Sequence, residues 1–485
     1  MKFNFKIVVS LLGILLVING GFMLMCLPVS LIYHEGGVVP LIISGLVSAS
    51  IGGILWWSAR KRTDDNLSKR DGYLIVTLGW LGMSLVGTLP FLLSGAIPNF
   101  TNAFFETLSG FTTTGASILN DIESVPKGIL FWRSLTQWMG GMGIIVLAVA
   151  ILPLLGIGGM QLFVAEAPGL KPDKLQPRIT ATARRLWIIY VGLTCAEFVL
   201  LIIGGMPVFD AINHSLTTMA TGGFSTRQES IAYFNSPFIQ YVLIIFMFLA
   251  GTNFTLTYYG FKGKFGRVWA NEEFRVYMIG TLILGAIVSV GVYFNTGSDI
   301  ERSFRNAMFQ VVSIITTTGF VSADYTLWGP FLSILFFMLM FLGASAGSTA
   351  GGVKIVRHIL LLKNGILELK RQLHPSAIIP VRLNNKAVSP EITYNVLGFI
   401  MIYLTIFVTS TCIMGLLGVD FVTALGSVAT SLGNIGPGFG SVGPVNNFAH
   451  LPSAGKWFLS FLMLLGRLEL FTVLILVTPY FWTRN

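Results

Sequence analysis

Four segments of the chain combine threonine and glycine in a pattern suited to coordinating a cation. They read NAFFETLSGFTTTGAS, DAINHSLTTMATGGFS, FRNAMFQVVSIITTTGFVS and DFVTALGSVATSLGNIGPGFG. In each segment, a stretch of about 12 residues precedes the glycine; this is too short to cross a bilayer and is typical of a re-entrant segment. Backbone carbonyls from a ring of loops can replace the hydration shell of a cation. A glycine in each loop permits the positive φ that directs a carbonyl to the axis.

These segments recur along the chain at a regular interval. The first three align on Thr114-Gly115, Thr221-Gly222 and Thr318-Gly319, and the fourth aligns on Ile435-Gly436. An interval of about 100 residues that holds a span, a short helix, a loop and a second span is a fold-level repeat. The short helix in each repeat directs its negative dipole end toward the loop, which also favours a cation.

The composition requires lipid around the elements that position these loops. The 485 residues are 54% hydrophobic and 11% charged, whereas a soluble domain is about 25% charged. The 54 glycines suit close helix packing and non-helical backbone beside a cavity. Cys26, Cys195 and Cys412 are odd in number and lie in apolar stretches, so we expect no disulfide framework.

Apolar runs and charge predict the topology. The candidate spans are residues 7–32, 38–58, 73–96, 129–154, 185–206, 237–260, 276–296, 330–352, 394–417 and 457–481. We interpret the first run as a retained helix because no small-residue cleavage site follows it. The net charge is +10, and basic residues concentrate in segments 60–70, 171–185, 262–275 and 354–386. The positive-inside rule places these segments and both termini in the cytoplasm.

The four repeats, each with one loop glycine, resemble the Trk/Ktr/HKT superfamily of potassium transporters. Two extra N-terminal spans, the total length and the segment GSTAGG are similar to its TrkH/TrkG-type members. The resemblance implies an all-α polytopic membrane protein with four pseudo-symmetric helix–pore helix–helix repeats around a central pore. It also implies potassium uptake across a bacterial inner membrane, K⁺ as the transported ion with no covalently bound cofactor, and a homodimer with a cytoplasmic TrkA-type nucleotide-binding regulatory ring.

The resemblance also implies which residues coordinate potassium in the filter. They are Thr113, Thr114, Gly115, Ala220, Thr221, Gly222, Thr317, Thr318, Gly319, Asn434, Ile435 and Gly436. These loops differ from each other and lack the longer TVGYG segment of tetrameric potassium channels, which puts strict K⁺/Na⁺ discrimination in question.

The repeats divide the chain into five expected domains. They are an N-terminal two-helix domain at 1–70, pore repeats at 71–180, 181–270 and 271–385, the last of these with an intramembrane gating loop, and a fourth pore repeat at 386–485.

The span at 330–352 ends in a run of small residues that disfavours a continuous helix. Each glycine in a helix costs roughly 1 kcal/mol relative to alanine. One interpretation is a close-packing face, and the other is an unwound loop beneath the filter, which the resemblance favours. The predicted gate residues are Gly347, Ser348, Thr349, Gly351, Gly352, Lys354 and Arg467.

Arg467 places a charge near the middle of the last predicted span. Such a charge almost always faces protein or water, and Glu469 is a poor partner because residues two apart lie on different helix faces. We expect the guanidinium to donate to carbonyls of residues 345–352, since an unwound loop leaves carbonyls without helical partners. A purely structural arginine, paired with carbonyls or a distant acid, is the alternative.

Further polar residues lie at or near the starts of the short helices. They are Asn102, Glu106, Asp210, His214 and Asp420. Capping and pairing with the helix dipole are the roles we expect for them, with attraction of ions as a secondary role.

Two other functions compete with a potassium channel. A sodium- or proton-coupled symporter is one, although secondary carriers typically show inverted repeats, whereas these repeats run parallel. A membrane-embedded enzyme is the other, and it needs a cluster of nucleophile, base or metal ligands. The five histidines have no metal-binding spacing, so we expect no enzyme.

Overall fold

The computed structural model describes residues 4–60, 68–146, 176–377 and 379–483. In these ranges the chain is nearly all helical. The helices, numbered in chain order, are α1 Phe5–Met25, α2 Leu27–Ile32, α3 Val38–Ser58, α4 Lys69–Gly87, α5 Leu89–Leu93, α6 Phe100–Phe111, α7 Lys127–Val146, α8 Gln176–Ile203, α9 Val208–Met219, α10 Pro237–Ala250, α11 Phe254–Phe261, α12 Phe265–Ala270, α13 Glu272–Thr296, α14 Ile300–Ile315, α15 Pro330–Leu339, α16 Ile355–Leu373, α17 Pro390–Leu416, α18 Phe421–Gly433, α19 Ser453–Arg467, α20 Phe471–Val477 and α21 Pro479–Trp482.

A two-stranded antiparallel hairpin follows α16. It pairs β1 Arg382–Leu383 with β2 Lys386–Ala387, with Arg382 opposite Ala387. Three short 3₁₀ helices lie in the connections that leave the second, third and fourth loops. They span Ser230–Tyr233, Tyr325–Leu327 and Gly440–Val442.

The first and third helices form a separate hairpin whose close approach depends on glycine. A Cβ added at Gly13 would lie 2.6 Å from the carbonyl oxygen of Gly52, and one at Gly20 would lie 2.6 Å from that of Gly45. Small residues at such crossings let helix backbones approach closely in a membrane. This hairpin packs on the first repeat through α4.

The rest of the chain forms four repeats around a central axis. Each has a long helix, a short amphipathic helix, a loop and a second helix. The long helices are α4, α8, α13 and α17, and the short ones are α6, α9, α14 and α18. The short helices have nearly continuous buried surfaces toward their C-terminal ends, and these ends meet at the loops.

Six described helices are long and apolar enough to cross a membrane, or seven if the pair α10 and α11, bent by 112°, counts as one span. The predicted spans at 237–260, 330–352 and 457–481 are therefore not continuous helices. They break at Gly251–Asn253, after Leu339 and at Leu468–Leu470 respectively. The predicted span at 129–154 is described only as far as Val146.

Two of these breaks satisfy each other's backbone groups. Gly251 O accepts from Ser345 N at 3.0 Å, and Gly347 O accepts from Phe254 N at 3.1 Å. Asn253 also donates from Nδ2 to Ala346 O at 2.7 Å. Irregular backbone at membrane depth is tolerated where it is buried in protein, so each break supplies the partners that the other needs.

Candidate ion-coordination ring and the loop beside it

The four short helices end in the same hydrogen-bonding pattern. In each, an N–H just past the helix bonds the carbonyl five residues earlier, as in a Schellman motif. The bonds run from Thr114 N to Ser109 O, Gly222 N to Thr217 O, Thr318 N to Ser313 O, and Ile435 N to Thr430 O, at 2.8 to 2.9 Å. The residue before each donor has a positive φ, with values of 49°, 53°, 55° and 54° at Thr113, Thr221, Thr317 and Asn434.

This shared pattern defines three equivalent positions in each loop. Position 1 has the positive φ, position 2 donates the long-range bond, and position 3 is a glycine with positive φ. The sets are Thr113-Thr114-Gly115, Thr221-Gly222-Gly223, Thr317-Thr318-Gly319 and Asn434-Ile435-Gly436. We call these four sets the loop ring.

The alignment predicted for the second loop is wrong by one residue. Gly223, with φ of 75°, matches Gly115, Gly319 and Gly436, whereas Gly222 is outside the positive-φ set. Ala220 is the C-cap of α9 and precedes position 1. Two adjacent glycines left the register open in the sequence, and the Schellman hydrogen bonds decide it.

The four loops close on each other in cyclic order. A Cβ added at the position 3 glycine would come within 3.0 Å of the position 2 carbonyl oxygen of the next loop. The pairs are Gly115 with Gly222 O, Gly223 with Thr318 O, Gly319 with Ile435 O, and Gly436 with Thr114 O. The fourth loop thus contacts the first, and the glycine is required by this close approach as well as by its φ.

The loop ring is rich in unpaired oxygen atoms. Carbonyls at positions 1 and 2 of the first, third and fourth loops accept no hydrogen bond from any residue that the structure describes, although these residues are fully buried. The side-chain oxygens Thr113 Oγ1 and Asn434 Oδ1 also lack a partner there. Buried acceptors are normally satisfied, and four helix C-termini add negative potential. The ring therefore offers a cation both ligands and a favourable field.

Position 1 stores backbone strain in three of the four loops. A β-branched residue with positive φ is a genuine outlier, and such conformations cost on the order of 1–3 kcal/mol each and cluster at functional sites. Thr113, Thr221 and Thr317 all adopt it. The fourth loop has Asn434, a residue that tolerates this region better.

A polar cavity that is open to solvent adjoins the position 3 side of the ring. Its lining includes Gly115, Gly223, Gly319 and Gly436, one glycine from each loop. The side chains of Arg133 and Arg227 also line it, and each is paired with a buried carboxylate at 2.7 Å, Glu106 and Asp210 respectively.

An unwound segment, residues 340–354, abuts the position 1 side, and we call it the unwound loop. Gly351 N donates to Thr317 Oγ1 at 2.6 Å, so the loop touches the ring itself. Thr349 Oγ1 lies 3.0 Å from Met219 O and 3.2 Å from Ala250 O in the second repeat. The cavity and the unwound loop therefore lie at opposite ends of the ring.

The hydrogen bond predicted for Arg467 is present. Its Nη1 donates to Thr349 O at 2.7 Å, and its Nη2 donates to Gly140 O of α7 at 3.0 Å. The side chain is almost completely buried. Lys354, also buried, donates from Nζ to Ala350 O. Two cationic groups thus hold carbonyls of the unwound loop.

Glu469 pairs with Arg357, at 2.5 Å between Oε2 and Nη2, and not with Arg467. This pair joins the break after α19 to the first turn of α16. Both Glu469 and Leu470 adopt positive φ, at 58° and 46°. The remaining predicted gate residues shape the unwound loop itself. Gly347 and Gly352 have φ of 74° and 64°, and Ser348 Oγ donates to Ser345 O at 2.6 Å.

Of the residues expected to cap the short helices, Asp420 does so. Its Oδ2 accepts from Thr423 N at 3.0 Å. Asp210 lies in the first turn of α9 and pairs with Arg227. The expectation is wrong for three others, because Asn99 caps α6 in place of Asn102, and Glu106 and His214 lie farther along their helices.

Glu106 accepts from Arg133, Ser117 and Ile118, which ties the first loop's exit to α7. His214 contacts Asp210 O and Ser225 Oγ. Asn102 accepts from Lys456 Nζ at 2.8 Å, linking the first and fourth repeats.

Sequence reasoning missed two residues that touch these sites. Gln137 of α7 hydrogen-bonds the second loop through both the nitrogen and the oxygen of its side-chain amide. Glu273 of α13 accepts from Ala346 N of the unwound loop at 2.8 Å and from Val356 N in the first turn of α16 at 3.3 Å. A polar residue within an apolar span is the one signal that marks Gln137 in advance.

These features define a class: a polytopic membrane protein whose four repeats bring four buried loops together around one axis. No group of three or more His, Cys, Asp or Glu residues able to hold a metal ion occurs in the described part of the chain. Residues 40–278 and 281–482 match the sequence model of the TrkH family, described as cation transport protein. The chain belongs to this family, whose members are transporters and not enzymes.

Relatives match over almost the whole length. The Trk system potassium uptake protein TrkH of Salmonella typhimurium is 44% identical over 484 residues, covering 99% of each chain. The Trk system potassium uptake protein TrkG of Escherichia coli is 36% identical over 481 residues, covering 98% of each. The crystal structure of the potassium transporter TrkH from Vibrio parahaemolyticus superposes with a TM-score of 0.90 at 39% identity, covering 99% of this chain and 100% of that one.

Proposed function

We propose that this chain carries potassium ions across a bacterial inner membrane through the loop ring. The single observation that carries this proposal is the closure of the ring, in which each position 3 glycine abuts the next loop's position 2 carbonyl. Unpaired buried carbonyls at the ring can replace the hydration shell of a cation. The relatives named potassium uptake proteins support potassium as the ion.

In this proposal the unwound loop is the gate. It abuts the ring through Gly351 and is held by Arg467 and Lys354. Two fixed positive charges beside the ring repel a cation, and more strongly than in water because the surroundings are less polarisable. Opening then requires the loop to leave Arg467. Its glycines at 347 and 352 permit the change in backbone conformation.

We further propose a homodimer whose cytoplasmic face binds a TrkA-type nucleotide-binding ring, with both termini on that face. The basic segments in the connections support this orientation. The helix α16 follows the unwound loop directly, so a partner that pulls on α16 would displace the gate. We place the repeat boundaries just before α4, α8, α13 and α17, because the predicted boundaries at 70/71 and 180/181 fall inside α4 and α8.

Rubidium and potassium flux into liposomes that contain only this chain tests the function. A channel conducts without a coupling gradient and does not saturate as a carrier does. Flux that requires a sodium or proton gradient would replace the channel with a symporter. An absence of potassium or rubidium flux in well-folded protein, with and without the cytoplasmic partner, would overturn the proposal.

A further inference from the structure

The side-chain amide of Gln137, on α7, holds the second loop through two hydrogen bonds, and we call this arrangement the clamp. Its Nε2 donates to Gly222 O at 2.6 Å, and its Oε1 accepts from Phe224 N at 3.0 Å. The two bonds fix the amide orientation, since a donor faces the carbonyl and an acceptor faces the N–H. Gln137 is fully buried, so water does not compete for either bond.

This clamp breaks the fourfold equivalence of the ring. Position 2 carbonyls belong to Thr114, Gly222, Thr318 and Ile435, and each one abuts a neighbouring glycine. Within the described ranges, only the carbonyl of Gly222 accepts a hydrogen bond from a protein donor. One of the four equivalent oxygens is therefore shared between an amide and any ion in the ring.

The clamp also explains why position 2 of the second loop is glycine. Gly222 has no positive φ that would require it. A Cβ added there would lie 2.8 Å from Gln137 Nε2 and 2.5 Å from its Oε1. The other loops have Thr114, Thr318 and Ile435 at this position, so the small residue makes room for the glutamine.

We propose that Gln137 is a specificity-determining residue, which acts through Gly222 and favours potassium over sodium. This inference rests on the proposed filter function. A carbonyl that already accepts a hydrogen bond attracts a cation less strongly. This weakens the binding of sodium more than that of potassium, because sodium costs more to dehydrate and needs stronger ligands in compensation. The clamp also fixes the second loop to α7, so the loop cannot contract around the smaller ion.

The test compares Gln137→Met with Gln310→Met in potassium and sodium flux measurements on full-length protein in liposomes. Methionine keeps the bulk of Gln137 and removes both hydrogen bonds. Gln310 is a matched control because it is fully buried and donates to Ser322 Oγ at 3.3 Å, not to a ring carbonyl. We expect Gln137→Met to lower the K⁺/Na⁺ ratio roughly two- to tenfold, the factor that one net hydrogen bond represents. Gln310→Met should leave the ratio unchanged.

An unchanged ratio in folded Gln137→Met overturns the inference. If Gly115→Ser abolishes discrimination in the same assay, the filter itself still stands. Thallium scattering from crystals of the unaltered protein gives a second measurement that needs no variant. We expect the ion to lie off the axis, farther from Gly222 O than from the opposite Ile435 O. An ion equidistant from all four position 2 carbonyls would also refute the role of Gln137.

Discussion

Arg467 Nη1 lies 2.7 Å from the carbonyl oxygen of Thr349, and the same guanidinium reaches Gly140 O at 3.0 Å. One side chain of the fourth repeat thus joins the unwound loop of the third repeat to a helix of the first. The loop contacts the second repeat through Met219 O. All four repeats therefore contribute to holding the unwound loop beside the ring.

Loss of this link should open the proposed gate. We expect Arg467→Ala, and separately deletion of residues 347–350, to raise basal rubidium flux. A hydrogen bond from a charged donor is worth roughly 1.5–3 kcal/mol, so losing one raises the open fraction about tenfold or more. The measurement is flux into liposomes without the cytoplasmic partner.

Arg467→Lys provides the matched control for charge. Lysine keeps the positive charge but lacks the planar fork that reaches two carbonyls at once, so its flux should lie between those of the parent and the alanine variant. If monodisperse Arg467→Ala and deletion variants conduct no faster than the parent, the unwound loop is not the gate.

The position 3 glycines should control ion choice. Replacing Gly115 or Gly319 with serine puts a Cβ against the neighbouring loop's position 2 carbonyl, which must then turn away. We expect a change in the K⁺/Na⁺ flux ratio while the protein still reaches the membrane. Gly223→Ala and Gly436→Ala should behave in the same way, because all four glycines make the same contact.

Gly192→Ala is the control for glycine replacement within the membrane. An added Cβ at Gly192 meets nothing within 4 Å, so the K⁺/Na⁺ flux ratio of this variant should equal that of the unaltered protein. The four-loop ring would be disproved as a filter by single variants at all four position 3 glycines that keep the parent ratio.

The basic surface at the C-terminal end of α16 should bind the cytoplasmic regulator. Lys370 and Arg382 are exposed, whereas Arg371 donates to Ile379 O at 2.9 Å and stabilises the turn that follows α16. We expect Lys370→Gln with Arg382→Gln to weaken capture of the nucleotide-binding ring, and the addition of Arg371→Gln to lower thermal stability as well.

Lys264→Gln with Arg267→Gln is the matched pair for this experiment. These residues are exposed on another basic segment, and their removal subtracts the same charge. Equal capture by both double variants in a pull-down would rule out docking at the α16 segment.

Asp420 should contribute pH-dependent stability at the start of α18. Hydrogen bonds from Thr423 lower the pKa of its carboxyl below the ordinary value. The stabilisation is therefore fully present above the unfolded pKa and is lost as pH falls through the folded one. We expect Asp420→Ala to cost roughly 0.5–2 kcal/mol, as for other N-caps. Melting of the detergent-solubilised protein at neutral and acidic pH measures this. A difference from the parent that persists at acidic pH would contradict the cap assignment.

The sequence alone was sufficient to predict the membrane class, the four repeats and the link from Arg467 to the unwound loop. These follow from local properties. The low fraction of charged residues requires a lipid environment. The length of the short helices, about 12 residues, excludes a full span. A buried guanidinium needs acceptors, which the carbonyls of an unwound segment can supply.

Only the tertiary structure decided the register of the second loop and the partners of the ring. Gly222 and Gly223 are both glycine, so the sequence pattern cannot show which of them occupies position 3. Their different contacts, of Gly222 with Gln137 and of Gly223 with Thr318 O, distinguish them. The pair Arg357–Glu469 and the bend at Asn253 likewise join residues about 100 positions apart. Local propensity contains no information on such contacts, because they are fixed by how four repeats pack around one axis.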